Sequence, residues 1–213
     1  MKALKCFLVL FSFVGIMLVG CSDQTQSPVS PTDQVSMEKN IPHYYSAMDF
    51  PVAPPEGGDI RSIPGGKIQF KKVKVTEAVV ATDSRVSGQM VHYLSTMIDA
   101  KTGNGPVHGS FTIFPTGAGE NAMWEGTYEG IRSYNGKTFV TIPSPLPYPS
   151  GIYDNWTLTL KLVGKGKGGE IDGWQMFSEH TLIIINFGND LTHYPFPMPQ
   201  FWFGNGEGFL KEH

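Results

Sequence analysis

Met123-Trp124-Glu125-Gly126-Thr127-Tyr128-Glu129-Gly130-Ile131 is the stretch whose reading decides the fold. Side chains on an extended strand point alternately to its two faces. Trp124, Gly126, Tyr128 and Gly130 therefore share one face, and Glu125, Thr127, Glu129 and Ile131 share the other. Large residues alternating with glycine on a single face suit the tapering interior of a small β-barrel, where a bulky side chain needs an empty position beside it. The polar face then looks outward.

Working outward, 155–163 shows the cleanest alternation in the chain. Trp156, Leu158, Leu160 and Leu162 point one way, and Thr157, Thr159 and Lys161 point the other, which is the pattern of a half-buried antiparallel strand. Between Val86 and Trp174 the chain reads as short neighbouring strands punctuated by glycine. An Arg85–Ile98 strand, a turn over 99–105 and a Pro106–Phe114 strand form a hairpin. Glu170 to Trp174 reads as a continuing strand, and so does Thr181 to Phe187. In Ile68-Gln69-Phe70 and Val73-Lys74-Val75 the apolar positions change parity, which predicts a β-bulge at Lys71-Lys72. Ser144 to Ser150 holds Pro145, Pro147 and Pro149 and is expected to be a loop across one barrel end. Gln200 to Phe203 is expected to be an edge strand, with 204–213 as a tail. Nothing outside the first twenty residues carries helical periodicity.

The start of the chain is a separate signal. Lys2 and Lys5 precede an apolar run from Phe7 to Val19, and Gly20-Cys21 follows. A positive end, a short apolar stretch and a small residue make a secretory leader. The run is shorter than the roughly 20 residues a membrane span needs. Leu18-Val19-Gly20-Cys21 resembles the bacterial lipobox, in which the cysteine is acylated and becomes the first residue, so Cys21 is the expected lipid attachment. Ser22 follows it, and the absence of an aspartate there resembles outer-membrane sorting. The expected organisation is a leader over 1–20, a lipidated, disordered tether with a Pro/aromatic strap over 21–64, a barrel over 65–203 and the tail. Ser22 to Asn40 is rich in Ser, Thr, Gln, Asp and Pro, as a flexible spacer is.

Composition narrows the function. Loss of Lys2 and Lys5 with the leader takes the 16 basic residues to 14 against 19 acidic ones, a net charge of −5. Nucleic acid is excluded as a partner on that balance, because phosphate binding needs concentrated positive charge. Cys6 and Cys21 are the two cysteines of the chain, so there is no disulfide framework and no cysteine metal site in the mature protein.

The candidate chemical motifs fail on spacing. Asp99 to Gly105 would place Lys101 at a ligand position of a calcium loop. His92 and His108 fall too far apart along their hairpin to share a metal, and no metal or cofactor is expected. Glu125 and Glu129 are about 13 Å apart on one strand, beyond the roughly 5–9.5 Å of glycosidase carboxylate pairs. Gly164, Gly166 and Gly169 match a dinucleotide fingerprint, but no helix follows them. Asn155-Trp156-Thr157 is a sequon of little weight on a bacterial lipoprotein.

Several segments together carry a resemblance: Val86-Ser87-Gly88, Gly103-Asn104-Gly105-Pro106-Val107-His108-Gly109-Ser110-Phe111, Trp124-Glu125-Gly126-Thr127 and Gly166-Lys167-Gly168-Gly169-Glu170-Ile171-Asp172-Gly173. Over about residues 67–177 the chain resembles secreted bacterial β-barrel lipoproteins. More distantly it is similar to the allene-oxide-cyclase and dirigent-like barrels of the calycin type. The resemblance implies fold; its matched residues are turn glycines and core aromatics, and no catalytic motif is carried over.

The fold expected is all-β, a single antiparallel up-and-down barrel of about eight strands. The function expected is a non-catalytic, lipid-anchored cell-envelope protein, of the outer membrane by sorting resemblance, that binds a small apolar ligand or a protein or glycan partner. Trp124, Tyr128 and Trp156 are the candidate ligand contacts inside the barrel, and Tyr148 and Tyr153 form a candidate loop platform. The alternative is a barrel enzyme, an isomerase, cyclase or carbohydrate-active protein, which needs Glu125 or Glu129 to converge with His92 in the lumen. Cys21→Ala is expected to abolish incorporation of labelled palmitate and to move the protein out of the membrane fraction. Retention of label in that variant would refute acylation at Cys21.

Overall fold

The computed structural model describes residues 41–186 and 200–212. The leader, Cys21 and the Ser22–Asn40 tether lie outside the described residues, as do Phe187 and the prolines at 195, 197 and 199.

Nine strands follow one another: β1 (His43–Glu56), β2 (Asp59–Ile63), β3 (Lys67–Ala81), β4 (Gly88–Asp99), β5 (Gly105–Pro115), β6 (Met123–Val140), β7 (Gly151–Lys167), β8 (Gln175–Asn186) and β9 (Gln200–Lys211). Each pairs antiparallel with its sequence neighbour from β2 to β9, and β1 pairs with both β9 and β3. The sheet closes on itself as an eight-stranded up-and-down barrel. β2 is the extra strand, running on from β1 along the first half of β3.

Inward positions follow the sequence alternation. Trp124 and Tyr128 on β6, and Trp156, Leu158, Leu160 and Leu162 on β7, are buried in one core with Phe70, Val75, Phe111 and Ile113. Thr127, Glu129 and Ile131 are exposed. The bulge lies where parity changes: the β3–β4 register shifts between Phe70 and Val73, and Lys72 adopts a positive φ of 56°.

Three boundaries differ from expectation. The proposed strap is β1 and β2, both integral to the wall. Its prolines are tolerated because Pro51 lies beyond the β9 pairing, which covers His43–Asp49, and Pro54 and Pro55 fall in the irregular stretch between Ala53 and Glu56 where the β3 ladder is interrupted. Glu170 to Trp174 is not strand. Gly168, Gly169 and Gly173 have positive φ and make a tight turn with a 3-10 segment over Gly169–Ile171. The tail from Gly204 is instead most of β9, a central strand between β8 and β1. Its Gly-x-Gly-x-Gly run looks like a flexible end. In three dimensions Gly204, Gly206 and Gly208 face inward and leave room for side chains from neighbouring strands.

The two ends of the barrel differ. At the end where β1 enters, the indole of Trp124 donates to the Arg85 carbonyl at 2.7 Å, Arg85 pairs with Asp83 and lies 4.6 Å over Trp174, and Ala118 and Ile171 are fully buried. At the other end Trp156 donates to the Thr102 carbonyl at 2.6 Å, and Arg132 lies 4.6 Å over its ring. There β6 and β7 run past β5 as a protruding hairpin, joined by the proline-rich 141–150 loop.

A Cβ at position 206 would come within 2.6–2.7 Å of the His180 ring. Gly206→Ala is therefore expected to cost about 1–3 kcal/mol by overpacking, read as a lowered urea midpoint. An unchanged midpoint would show that the ring can move aside.

Candidate functional site

The interior wall is apolar except for a belt of ionisable groups at mid-barrel. Asp49 (β1), Glu77 (β3), His92 (β4) and His180 (β8) expose 1%, 2%, 6% and 5% of their surface. Each sits at an inward position of its strand. Glu77 continues the run Val73, Val75, Val79; His92 lies between Met90 and Leu94; His180 lies between Ser178 and Leu182. Burying such groups is costly unless they are paired, and they are paired in two sets.

In the first set His180 Nδ1 bonds Asp49 Oδ2, and His180 Nε2 lies 2.7 Å from Ser178 Oγ. Ser178 Oγ also lies 3.1 Å from the Glu207 carbonyl, to which it donates. Burial disfavours the His180 imidazolium, but the hydrogen bond and charge of Asp49 outweigh it and raise the His180 pKa. Burial also pushes the Asp49 carboxyl up against the pull of His180. The two directions are reconciled if the pair is one unit that keeps a single shared proton. The order serine, histidine, aspartate is that of a hydrolase nucleophile. Here, however, the serine hydroxyl donates to a main-chain carbonyl and is buried, and none of the three residues lines the lumen cavity described below.

In the second set Glu77 Oε1 accepts the Trp202 indole N–H, Glu77 Oε2 stands 3.5 Å from His92 Nε2, and His92 Nδ1 is 2.9 Å from the Tyr128 hydroxyl. Burial pushes the Glu77 carboxyl up. The charge of His92, the Trp202 hydrogen bond and the His180 charge together outweigh it and hold Glu77 below the usual carboxylate range. Burial, with the Glu77 charge beside it, raises the Tyr128 phenol far above its ordinary value.

Glu77 and His92 from this second set form a polar wall of a cavity of about 90 Å³. The rest of the lining is largely apolar: Phe70, Val73 and Val75 from β3, Leu158 and Leu160 from β7, and Leu182 and Ile184 from β8. Trp202, Thr96 and Arg132 complete it toward the end opposite the entry of β1. Three buried polar atoms, Asp49 Oδ1, His92 Nε2 and the Tyr45 hydroxyl, make no hydrogen bond. Each such group costs roughly 1–3 kcal/mol. A larger concavity of about 720 Å³ lies along β1, β9, β8 and β7, lined by Tyr44, Phe177, Phe209 and Val163. These four residues stand directly opposite one another across the strands.

The residues singled out in the sequence are distributed as follows. Trp124, Tyr128 and Trp156 point inward, but the cavity is lined by other residues; the two indoles seal opposite ends and Tyr128 orients His92. Tyr148 packs 4.7 Å from Phe201, and Tyr153 donates to the Pro149 carbonyl at 2.8 Å, so both are engaged in holding the 141–150 loop. Glu125 and Glu129 are on the outer wall, Glu125 paired with Lys167. They do not converge with His92, which removes the form of enzyme that depended on them. His108 is exposed on the outer wall, on the opposite face from His92. Asp49, Glu77, Ser178 and His180 were not foreseen. Their signal was a polar residue at an apolar-parity position of a strand. Among the described residues, no group of three His, Cys, Asp or Glu side chains is placed to hold a metal. Comparisons with protein-family models, curated proteins and solved structures return no match.

The Asp49–His180 pair makes stability pH-dependent. A raised histidine contributes fully below its ordinary value of about 6.5 and loses that contribution as pH rises through the folded value. Glu77 has the opposite sign: its contribution is full above 4.5, its ordinary value, and fades as pH falls through the folded one. The urea midpoint is expected to fall from pH 6 to pH 9, with a flatter profile in Asp49→Asn. A flat profile in the unaltered protein would show that the pair holds no extra proton.

Proposed function

We propose that this is a lipid-anchored cell-envelope protein, on the outer membrane, whose barrel holds a small, largely apolar ligand without transforming it. The observation that carries the reading is the lumen cavity of about 90 Å³ between leucine, valine and phenylalanine side chains on one wall and Glu77 and His92 on the other. A dry engineered cavity of about 150 Å³ takes benzene, so the enclosed part of the ligand is a few carbons. Small pockets of this make-up, mostly apolar with a few aimed polar groups, are how proteins hold small molecules.

The anchor rests on the Leu18-Val19-Gly20-Cys21 signal. Chain direction supports the combination. A tether from Cys21 reaches the barrel at the end where β1 begins, and the cavity lies toward the other end. Holding the ligand unchanged fits the engagement of Ser178 with a main-chain carbonyl and the outward direction of Glu125 and Glu129.

Xenon under pressure is the smallest apolar probe. Methyl resonances of Leu160, Leu182 and Ile184 are expected to shift with xenon, while those of Val86 and Leu210 at the closed end stay put. Leu182→Phe should fill the space and suppress the response. Equal shifts everywhere, or none at the three lining residues, would overturn a lumen site.

A further inference from the structure

On the polar wall of the cavity Glu77 and His92 stand side by side, an acceptor next to a donor, and together they select a functional group. Glu77 uses Oε1 for the Trp202 indole, which leaves Oε2 at the cavity. His92 has its Nδ1 against the Tyr128 hydroxyl, and its Nε2 is buried without a hydrogen bond. The Tyr128 phenol stays protonated, since its pKa is raised by burial and by the nearby Glu77 charge. It has His92 as its hydrogen-bond partner among the described residues. Beside the Glu77 carboxylate Nε2 carries a ring hydrogen whether the Tyr128 hydroxyl donates to Nδ1 or accepts from it on the imidazolium. At 3.5 Å, Nε2 and Oε2 are a donor and an acceptor too far apart for a good bond.

We infer that Glu77 and His92 form a hydroxyl-binding site, so that the ligand of this barrel is a small apolar alcohol whose oxygen accepts from His92 Nε2 and donates to Glu77 Oε2.

The inference deepens the ligand-binding reading and rests on it. An ether or carbonyl oxygen only accepts, which leaves Glu77 Oε2 unmatched. An ammonium only donates, which leaves the His92 N–H unmatched. A primary amide does both but brings a second N–H to a wall of leucine and valine. A hydroxyl does both with a single atom and nothing over. With bonds of about 2.7–2.9 Å to each partner, an oxygen between groups 3.5 Å apart subtends a narrow angle. Separating the side chains by about 1 Å brings that angle to the tetrahedral value at the same bond lengths. A water is the smallest occupant that satisfies both groups, but it leaves the apolar side of the cavity empty. An alkyl chain fills that side.

The test compares 1-butanol with methyl propyl ether, which has the same atoms but lacks the O–H donor, on the full protein. Both are titrated against the lining methyl resonances. The alcohol is expected to bind roughly tenfold or more tightly, as for a hydrogen bond to a charged group. Glu77→Gln is expected to lose most of that preference. Equal binding of alcohol and ether overturns the hydroxyl site and leaves the cavity reading intact. So does failure of both while xenon still shifts the same methyls. If xenon also fails, the cavity reading falls, and the hydroxyl site with it. The comparison on the unaltered protein decides the matter even if Glu77→Gln does not fold.

Discussion

β1 hydrogen-bonds first to β9 and then to β3, and the barrel closes where it passes from one to the other. Pairing with β9 ends at Asp49, opposite Gly204, and pairing with β3 begins at Ala47, opposite Ala81. Asp49 thus sits at the seam, and its bond to His180 ties β1 to β8 across β9. This link requires β9 to present no side chain there, and Gly206 meets that demand: a Cβ would run into the His180 ring. Closure, the glycine strand and the buried Asp–His pair therefore depend on one another. Two buried ionised groups offset their desolvation cost only when hydrogen-bonded in good geometry. The seam supplies that geometry because both strands are held by main-chain ladders.

The lumen is divided by chemistry rather than by shape. Toward the entry end of β1 the core is filled by Trp124, Ile171, Met176 and Leu210, all essentially without exposure. Toward the other end the wall keeps Leu158, Leu160, Leu182 and Ile184 but the centre is not filled, and Glu77 and His92 look into the space. A buried polar atom left without a partner is expensive, so a natural fold that keeps His92 Nε2 unpaired at the edge of a cavity has a use or an occupant for it. The two acid–histidine sets are linked by charge: Glu77 adds to the rise of Asp49 and His180, and His180 helps to hold Glu77 down.

Most of the wall was legible in the chain order. Alternation identified which face of β6 and β7 turns inward, and the change of parity at Lys71-Lys72 located the bulge of β3. Two segments misled. Pro51, Pro54 and Pro55 argue against a strand unless no donor is needed there, and only the extent of the β9 pairing and the interruption of the β3 ladder show that none is. Gly204, Gly206 and Gly208 read as a flexible end because the side chains that fill their space come from other strands. The site was less legible. Glu77, His92 and His180 each stand alone in their strands, without motif or spacing; Glu77 and His92 meet through the β3–β4 register, and His180 meets Asp49 only when the sheet closes.

By itself the sequence determined an all-β wall of alternating strands and the inward face of each central strand. The physical reason is that a half-buried strand must place apolar side chains at every second position, a local requirement that can be read one segment at a time. Only the tertiary structure decided that β1 completes the barrel, that Asp49 meets His180 and that Glu77 and His92 stand side by side at an unfilled space. Those contacts join residues 131 and 15 positions apart in the chain. The first is set by register around the closed sheet, which no local preference encodes, and the second by the β3–β4 register beyond the bulge at Lys71-Lys72.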